Sequence, residues 1–480
     1  MMKAQVGIDL GTTNSVASYM NHGKIEYIKF RNKESIQSVA MYQNGKFIVG
    51  DKAKKKANLY PENYIKSSKT YMGDISKTWN IEGREFSATD IAKEILLEIK
   101  SAIGKTISNT TEIEVVITVP AYFTSSQIDE TKKAGEAAGL IVKQIITEPV
   151  SAAIAYGFED DINQKIFIVD IGGGTFDTAI LEVKNQVFNT LSIGGYNNLG
   201  GDDFDLKILN ILLNYVRKNE GVNLSSLSKS GLDNETYSKV YQSLLHKAEE
   251  AKVELSEHNK VEVSIANLFD NYNLELTITR LEFEERADDI LYKIKKEINT
   301  TLEDANLNPN EINKVVLVGG SSRIPAIRDF IIDIFNTTPY SDKPLDKLVA
   351  IGAAIAATDE NTVQINDIIS HSLGIEIVNE RFSPILIKNS KYPVSLAKTY
   401  TTTDDYQEIV NISVYEGEDD SINNNKLYGG FELSDLEFAE KGVPQIEVTF
   451  EFDKNRILHV AARDLNTNST NKQTIEINKG

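Results

Sequence analysis

Val6–Asn14 reads VGIDLGTTN, and Ile168–Asp177 reads IVDIGGGTFD. In both, an apolar strand ends on an aspartate and runs directly into a glycine/threonine turn: Asp9 precedes Gly11, Thr12 and Thr13, and Asp170 precedes Gly172, Gly173, Gly174 and Thr175. Glycines let backbone N–H groups close on phosphate oxygens, and threonine hydroxyls add further donors. A strand-ending carboxylate can hold Mg2+ through its water shell, because that ion usually keeps several waters. One such turn is commonplace. Two predict an internally duplicated α/β domain with a nucleotide between its halves. A third turn, VLVGGSSRIP (Val316–Pro325), follows another apolar strand and opens a helix, so Gly319, Gly320, Ser321 and Arg323 can offer donors and a cation to a phosphate or base. No GxxxxGKS or GxxxxGKT occurs, which excludes a P-loop.

Outward from these turns, short β-branched runs alternate with amphipathic stretches up to about residue 360, as layered α/β folds require. Lys165–Ile171 and Lys314–Gly319 are almost continuously apolar and read as central strands buried on both faces. A helix is expected from Thr124–Ser126 to a stop at Gly139, and another over Thr279–Ile298, with Thr279 and Glu282 as a capping box and Leu281, Ile290, Leu291 and Ile294 on its apolar face. Thr358–Ile368 is polar and aperiodic and reads as a linker. Beyond it VNISVYEGE, PQIEVTFEFDKNRILHVAARD and KQTIEI alternate apolar and polar residues, the pattern of an antiparallel sandwich.

Composition narrows the function classes. The 480 residues hold 41% hydrophobic and 25% charged side chains, ordinary for soluble domains. Lys+Arg 51 against Asp+Glu 70 gives a net charge of −19, which disfavours nucleic acid and anionic membrane as partners. Acidic residues outnumber basic ones on both sides of residue 360, so no basic module hides behind the total. With no cysteine there are no disulfides, thiolate zinc sites or cysteine nucleophiles. The start meets Asp9 before any apolar leader core can form, and a cytoplasmic location is the expectation.

These three turns, together with TVPAYF (Thr118–Phe123) and TEPVSAAIAYG (Thr147–Gly157), resemble the seventy-kilodalton heat-shock chaperones of the DnaK type, on the wider actin and sugar-kinase fold. The resemblance runs from Val6 almost to the C-terminus. It implies an actin-like ATPase domain of two lobes over 1–358, an interdomain linker at 359–369 and a β-sandwich over 370–480 that binds extended hydrophobic peptide. It implies ATP or ADP with Mg2+ as cofactors, and K+ beside Asp177. Asp9, Thr12, Thr13 and Asn14 match its first phosphate loop and Gly172–Thr175 its second. Lys69, in KTYMG, matches the lysine that places the attacking water, and Glu148 the partner carboxylate; without that register Lys69 reads as one surface lysine among many. The resemblance also assigns Gly200 and Gly201 to the nucleotide. In HKAEEAKVELS it assigns Glu249, Lys252 and Ser256, spaced i, i+3, i+7 on one helix face, to adenosine, with Asp346 nearby. A solvated charged face is the bland alternative for such a stretch. Two family arginines near the base fall at Thr70 and Val253.

In the sandwich, peptide-pocket positions fall on Ile375, Ile377, Val378, Tyr400, Val410 and Ile412, with Val378 and Thr403 at the arch; alternation alone also fits plain core residues. The family's J-domain co-chaperone and nucleotide-exchange factor are implied partners. Its linker is a leucine-rich run, and here it reads Thr362, Val363, Gln364, Ile365, Asn366. Of the interdomain relay, Pro120, Glu148 and Asp367 are present, while the relay arginine falls at Ile128 and two co-chaperone contacts fall at Gln144 and Thr147. The sequence stops at KQTIEINKG where the family continues into a helical lid, so a lidless short form is the expectation. Two function classes stay open: an ATP-hydrolysing chaperone, and a nucleotide-dependent scaffold or adaptor with slow or absent turnover. A sugar or acetate kinase is disfavoured, since the sandwich has no role in small-molecule phosphorylation.

Overall fold

The computed structural model describes residues 2–107, 110–157, 163–340, 343–358, 363–453, 456, 458–467 and 470–473. The chain forms two compact units: Met1–Ala121 with Glu130–Phe188 and Gly194–Gln364, and Tyr122–Asp129 with Asn189–Ile193 and Ile365–Gly480.

The first unit repeats one plan. Strand Met2–Leu10 turns back antiparallel into Asn14–Asn21 and lies parallel to Thr110–Val119 on its other side. Strand Gln164–Ile171 likewise turns back into Phe176–Lys184 and lies parallel to Lys314–Val318. The first sheet runs Ile141–Thr147, Thr110–Val119, Met2–Leu10, Asn14–Asn21, Lys24–Tyr27; in the second, Val187–Tyr196 follows Phe176–Lys184. Each signature turn is thus the tip of a hairpin beside a parallel crossover, which is the duplication expected from the sequence. The two apolar strands lie in the core: Ile166, Phe167, Ile168 and Val169 are fully buried, as are Val315 and Val316.

Two alanine-rich helices, Glu148–Gly157 and Leu348–Thr358, brace this core. Small residues let them approach: a Cβ on Gly352 would stand 1.7 Å from Ser151 O, and one on Gly7 2.1 Å from Ala354 N. Ser151 Oγ donates to Val349 O at 2.6 Å and Ser18 Oγ to Ala350 O at 2.8 Å, which satisfies hydroxyls buried with them. Glu148 is the first residue of its helix, so the helix start carries it into the unit's interior.

Helix Ser125–Ala137 forms as expected, with Gly139 at φ +73 beyond it. The Thr279–Ile298 stretch is two helices, Arg280–Arg286 and Asp288–Asp304, broken at Ala287. Thr279 Oγ1 accepts from Glu282 N at 3.2 Å, as its capping role requires. The apolar face keeps its phase across the break: Phe283, Ala287, Ile290 and Ile294 are buried, and Leu281, half a turn away, is 67% exposed.

The second unit contains two antiparallel sheets, ordered Arg381–Leu386, Leu373–Ile377, Val410–Glu416, Lys426–Leu433 and Val394–Tyr400, Ile446–Phe452, Leu458–Asp464, Thr470–Gln473. Alternate residues Ile446, Val448, Phe450 and Phe452 meet Ile375, Ile412, Val414 and Phe431 in one core, as a sandwich demands. KQTIEI is described only as far as Gln473. In the stretch read as a linker, Thr362 and residues 359–361 lie outside the described residues, and Gln364–Asn366 is a short strand. Gln364 N donates to Gln186 O at 3.2 Å. The backbone of a polar, alternating segment can join an open sheet edge whatever its side chains are, which is why composition suggested only a linker.

Candidate functional site

The hairpin tips of the first unit converge. A Cβ on Gly173 would lie 1.9 Å from Thr13 Oγ1, and one on Gly174 would lie 2.6 Å from Thr70 Cγ2 and 3.0 Å from Thr12 Cγ2. A side chain at either glycine would collide with the threonine side chains of the first turn and of Thr70. Gly172 N donates to Thr175 O at 3.0 Å and closes the second turn. Gly200 packs on it, with a Cβ there 2.7 Å from Gly174 N, and Gly201 N donates to Gly172 O at 2.9 Å. The third turn joins the same cluster: Ser321 Oγ donates to Gly172 O at 2.9 Å, and Gly319, at φ +80, would press a Cβ to 2.3 Å from Ile171 O. Gly320–Arg323 is one turn of 3-10 helix, and Arg323 pairs with Asp346 at 3.4 Å at the surface. Gly11 and Asn14 complete the first turn, Asn14 Oδ1 accepting from Gln37 Nε2 at 3.0 Å.

Five ionisable groups gather beneath these turns. Lys69, on the short 3-10 helix Ser68–Tyr71, is buried and meets buried Glu148 with Nζ–Oε1 at 2.6 Å. Desolvation, reinforced by the Glu148 charge, pushes Asp9 up to about 7, against the pull of Lys69 and a hydrogen bond from Thr118 Oγ1 at 3.3 Å. Desolvation also raises Asp170 well above the carboxylate range, aided by Glu148, Asp177 and Asp9. Asp177 is buried directly across the hairpin from Asp170. One ammonium among crowded carboxylates is a site that a further cation relieves. The donor set therefore fits Mg2+. Among the described residues no group of three or more histidine or acidic side chains is arranged to hold a bare metal ion.

The helix Asn234–Glu257 carries Glu249, Lys252 and Ser256, and all three are half-buried. The fold already engages them. Glu249 is bonded by Lys54 Nζ at 2.9 and 3.1 Å, Lys252 Nζ pairs with Asp205 at 2.7 Å and donates to Gly201 O at 3.0 Å, and Ser256 Oγ donates to Lys252 O at 3.2 Å. Desolvation lifts Asp205 to about 6, with Lys252 drawing it down. Neither Lys54 nor Asp205 stood out in the sequence. Lys54 lies in a run of lysines, and Asp205 follows other acids with no local mark of its partner. A cavity of about 50 Å³ is lined by Thr12, Thr13, Gly173, Gly201, Glu249 and Lys252; a larger one of about 530 Å³, lined by Lys33, Lys55, Leu245 and His246, shares Lys54 and Glu249 as a wall. Val253 is 60% exposed.

In the second unit Ile375 and Ile412 are buried in the sandwich core, and Ile377, Tyr400 and Val410 pack half-buried against it. Val378 is exposed, and Thr403 sits on an exposed loop where its N–H donates to Gln407 Oε1 at 3.2 Å. Pro120 is buried after strand Thr110–Val119, and buried Asp367 accepts from Tyr392 Oη at 3.4 Å. Ile128 is buried, Thr147 is buried and Gln144 is exposed.

Duplicated sheets whose glycine turns converge over acids and a lysine, followed by a β-sandwich, define an actin-like α/β domain joined to an all-β module. The chain matches the Hsp70 protein family over residues 5–480 and belongs to that family. Hsp70 proteins are ATPases that bind ATP or ADP with Mg2+ and work as chaperones with unfolded peptide and co-chaperones. Among the described residues no helix is long and apolar enough to cross a membrane.

Proposed function

We propose that the first unit hydrolyses Mg-ATP and the second binds extended apolar peptide segments, which makes the protein an ATP-dependent chaperone. The observation that carries this is the buried Lys69–Glu148 pair, 2.6 Å long, beside Asp9 and Asp170 under the converged glycine turns. Phosphoryl transfer to water needs positioning and charge neutralisation more than covalent chemistry. Backbone N–H groups and hydroxyls of Gly11–Asn14 and Gly172–Thr175 bind the phosphates. Lys69 orients the attacking water and offsets charge at the γ-phosphate, and Glu148 fixes the ammonium and accepts a hydrogen bond from that water. Asp9 and Asp170 would hold Mg2+ through its water shell, and the ion supplies further neutralisation of phosphate charge. K+ beside Asp177 follows from the family alone. Glu249, Lys252, Ser256, Arg323 and Asp346 face adenosine.

The pocket of Ile375, Ile377, Tyr400, Val410 and Ile412 takes one apolar side chain of a peptide that adds main-chain bonds. Val363–Asn366, in place of a leucine-rich run, weakens coupling of ATP to peptide; several-fold stimulation of turnover by an apolar heptapeptide would contradict that. Release of γ-phosphate by wild type and by Lys69→Ala tests the ATPase, with a drop of roughly a hundredfold or more expected. The narrow cavity walled by Lys54 and Glu249 favours, as a second reading, a scaffold that holds nucleotide and turns it over slowly; equal inactivity of both proteins would select it.

A further inference from the structure

Strand Val394–Tyr400 pairs with Ile446–Phe452 so that Leu396, Lys398 and Tyr400 lie opposite Phe450, Val448 and Ile446. Those three partners are core residues. Residues two apart share a face, so Leu396, Lys398 and Tyr400 are on the inner side of their sheet. Leu396 is 47% exposed and Lys398 is exposed as well, which leaves this end of the inner face open. A lysine interrupts the apolar alternation there.

Its surroundings are specific. Lys398 Nζ donates to Ser383 Oγ at 2.9 Å and stands 5.8 Å from the Tyr400 ring centroid. Ser383 Oγ and Tyr400 Oη lie 3.0 Å apart. Ser383 is buried and pairs across its own sheet with Ile375. The ammonium therefore lies against the pocket to which the apolar side chain of a peptide has been assigned. Lys398 makes no ion pair with any described carboxylate, in a module where acidic residues outnumber basic ones. Donors also exceed acceptors. An ammonium carries three hydrogens and each hydroxyl one, and the two internal bonds leave two ammonium hydrogens and one hydroxyl hydrogen to be used. A carboxylate, which only accepts, is the peptide side chain that satisfies such a group.

We propose that the second unit selects extended peptides in which an aspartate or glutamate lies within two residues of the apolar side chain held by Ile375, Tyr400 and Val410, with Lys398 as the selecting residue. This rests on the peptide-binding reading above. A lysine that only covered apolar surface with its stem would leave neighbouring peptide charge without effect.

Fluorescence anisotropy of the full chain with labelled heptapeptides tests it, all with one central leucine and with Glu, Gln or Lys beside it. The Glu peptide is expected to bind roughly two- to fivefold more tightly than the Gln peptide, the size of an exposed ion pair. Raising the salt should shrink that preference. Lys398→Gln should erase it, and Lys398→Glu should turn it toward the Lys peptide; the position is exposed enough for the fold to persist in both variants, which far-UV circular dichroism checks. Equal binding of Glu and Gln peptides, or a preference that survives Lys398→Gln, overturns the proposal while peptide binding stands. Failure of all three peptides to bind wild type overturns both.

Discussion

Replacing Lys252 by methionine tests how helix Asn234–Glu257 is held. The methionine keeps the stem and removes the charge that faces Asp205 at 2.7 Å, a carboxylate 3% exposed. Taking one partner from a buried pair costs about 3–5 kcal/mol, because the remaining charge has no counter-ion. The penalty depends on pH. Asp205 already has its pKa raised from 3.8 to about 6, mainly by desolvation, and Lys252 is the first influence holding it down. Its loss lifts that value further. A carboxyl whose folded pKa exceeds its unfolded one binds protons more tightly when folded, so stability falls as pH rises through that window. At about pH 8 the variant should show the full deficit of about 3–5 kcal/mol. At about pH 5.5 Asp205 is protonated, and the deficit should shrink to about 1 kcal/mol, the worth of the lost bond to Gly201 O. Urea unfolding followed by the single tryptophan, Trp79, reads the first unit alone. Adding Asp205→Asn should return stability at about pH 8 to within about 1–2 kcal/mol of wild type. A deficit that is the same at both pH values, or no rescue by Asp205→Asn, would refute the reasoning.

Two further outcomes follow from neighbouring contacts. Lys54→Ala removes the cation bonded twice to Glu249 and opens the wall between the two cavities, so a fluorescent ADP analogue should dissociate several-fold faster in stopped-flow chase experiments. Gly352→Ala would place a Cβ 1.7 Å from Ser151 O and push apart the two helices that carry Glu148 and brace strand Met2–Leu10. It should destabilise the first unit by at least about 1–3 kcal/mol in the same tryptophan-monitored unfolding.

The glycine turns were legible because their requirement is local: a strand, an acid and a turn without Cβ atoms are contiguous in sequence. Their mutual packing could be anticipated from duplication, and Gly173 against Thr13 is where it is realised. Lys69 was legible only through the family register, since its partner Glu148 lies on another element and a lone lysine carries no mark of burial. Asp205 and Lys54 stayed invisible for the same reason. Their roles come from the helix opposite, which no spacing along the chain encodes. At Leu281 the expectation failed because that residue is half a turn off the face of Ile290 and Ile294, whereas Phe283 is in phase with them and takes the buried position. Alternation in the sandwich could not separate pocket from core: Ile375 and Ile412 are core residues, while Tyr400 and Val410 pack half-buried beside them.

The central claim is that Lys69 and Glu148 serve chemistry on a nucleotide and not packing alone. Single-turnover release of γ-phosphate, measured beside equilibrium binding of ATP for wild type and Lys69→Ala, separates the two. Catalysis by this pair predicts that ATP binding changes little while phosphate release slows by roughly a hundredfold or more. Undiminished phosphate release by Lys69→Ala would contradict it.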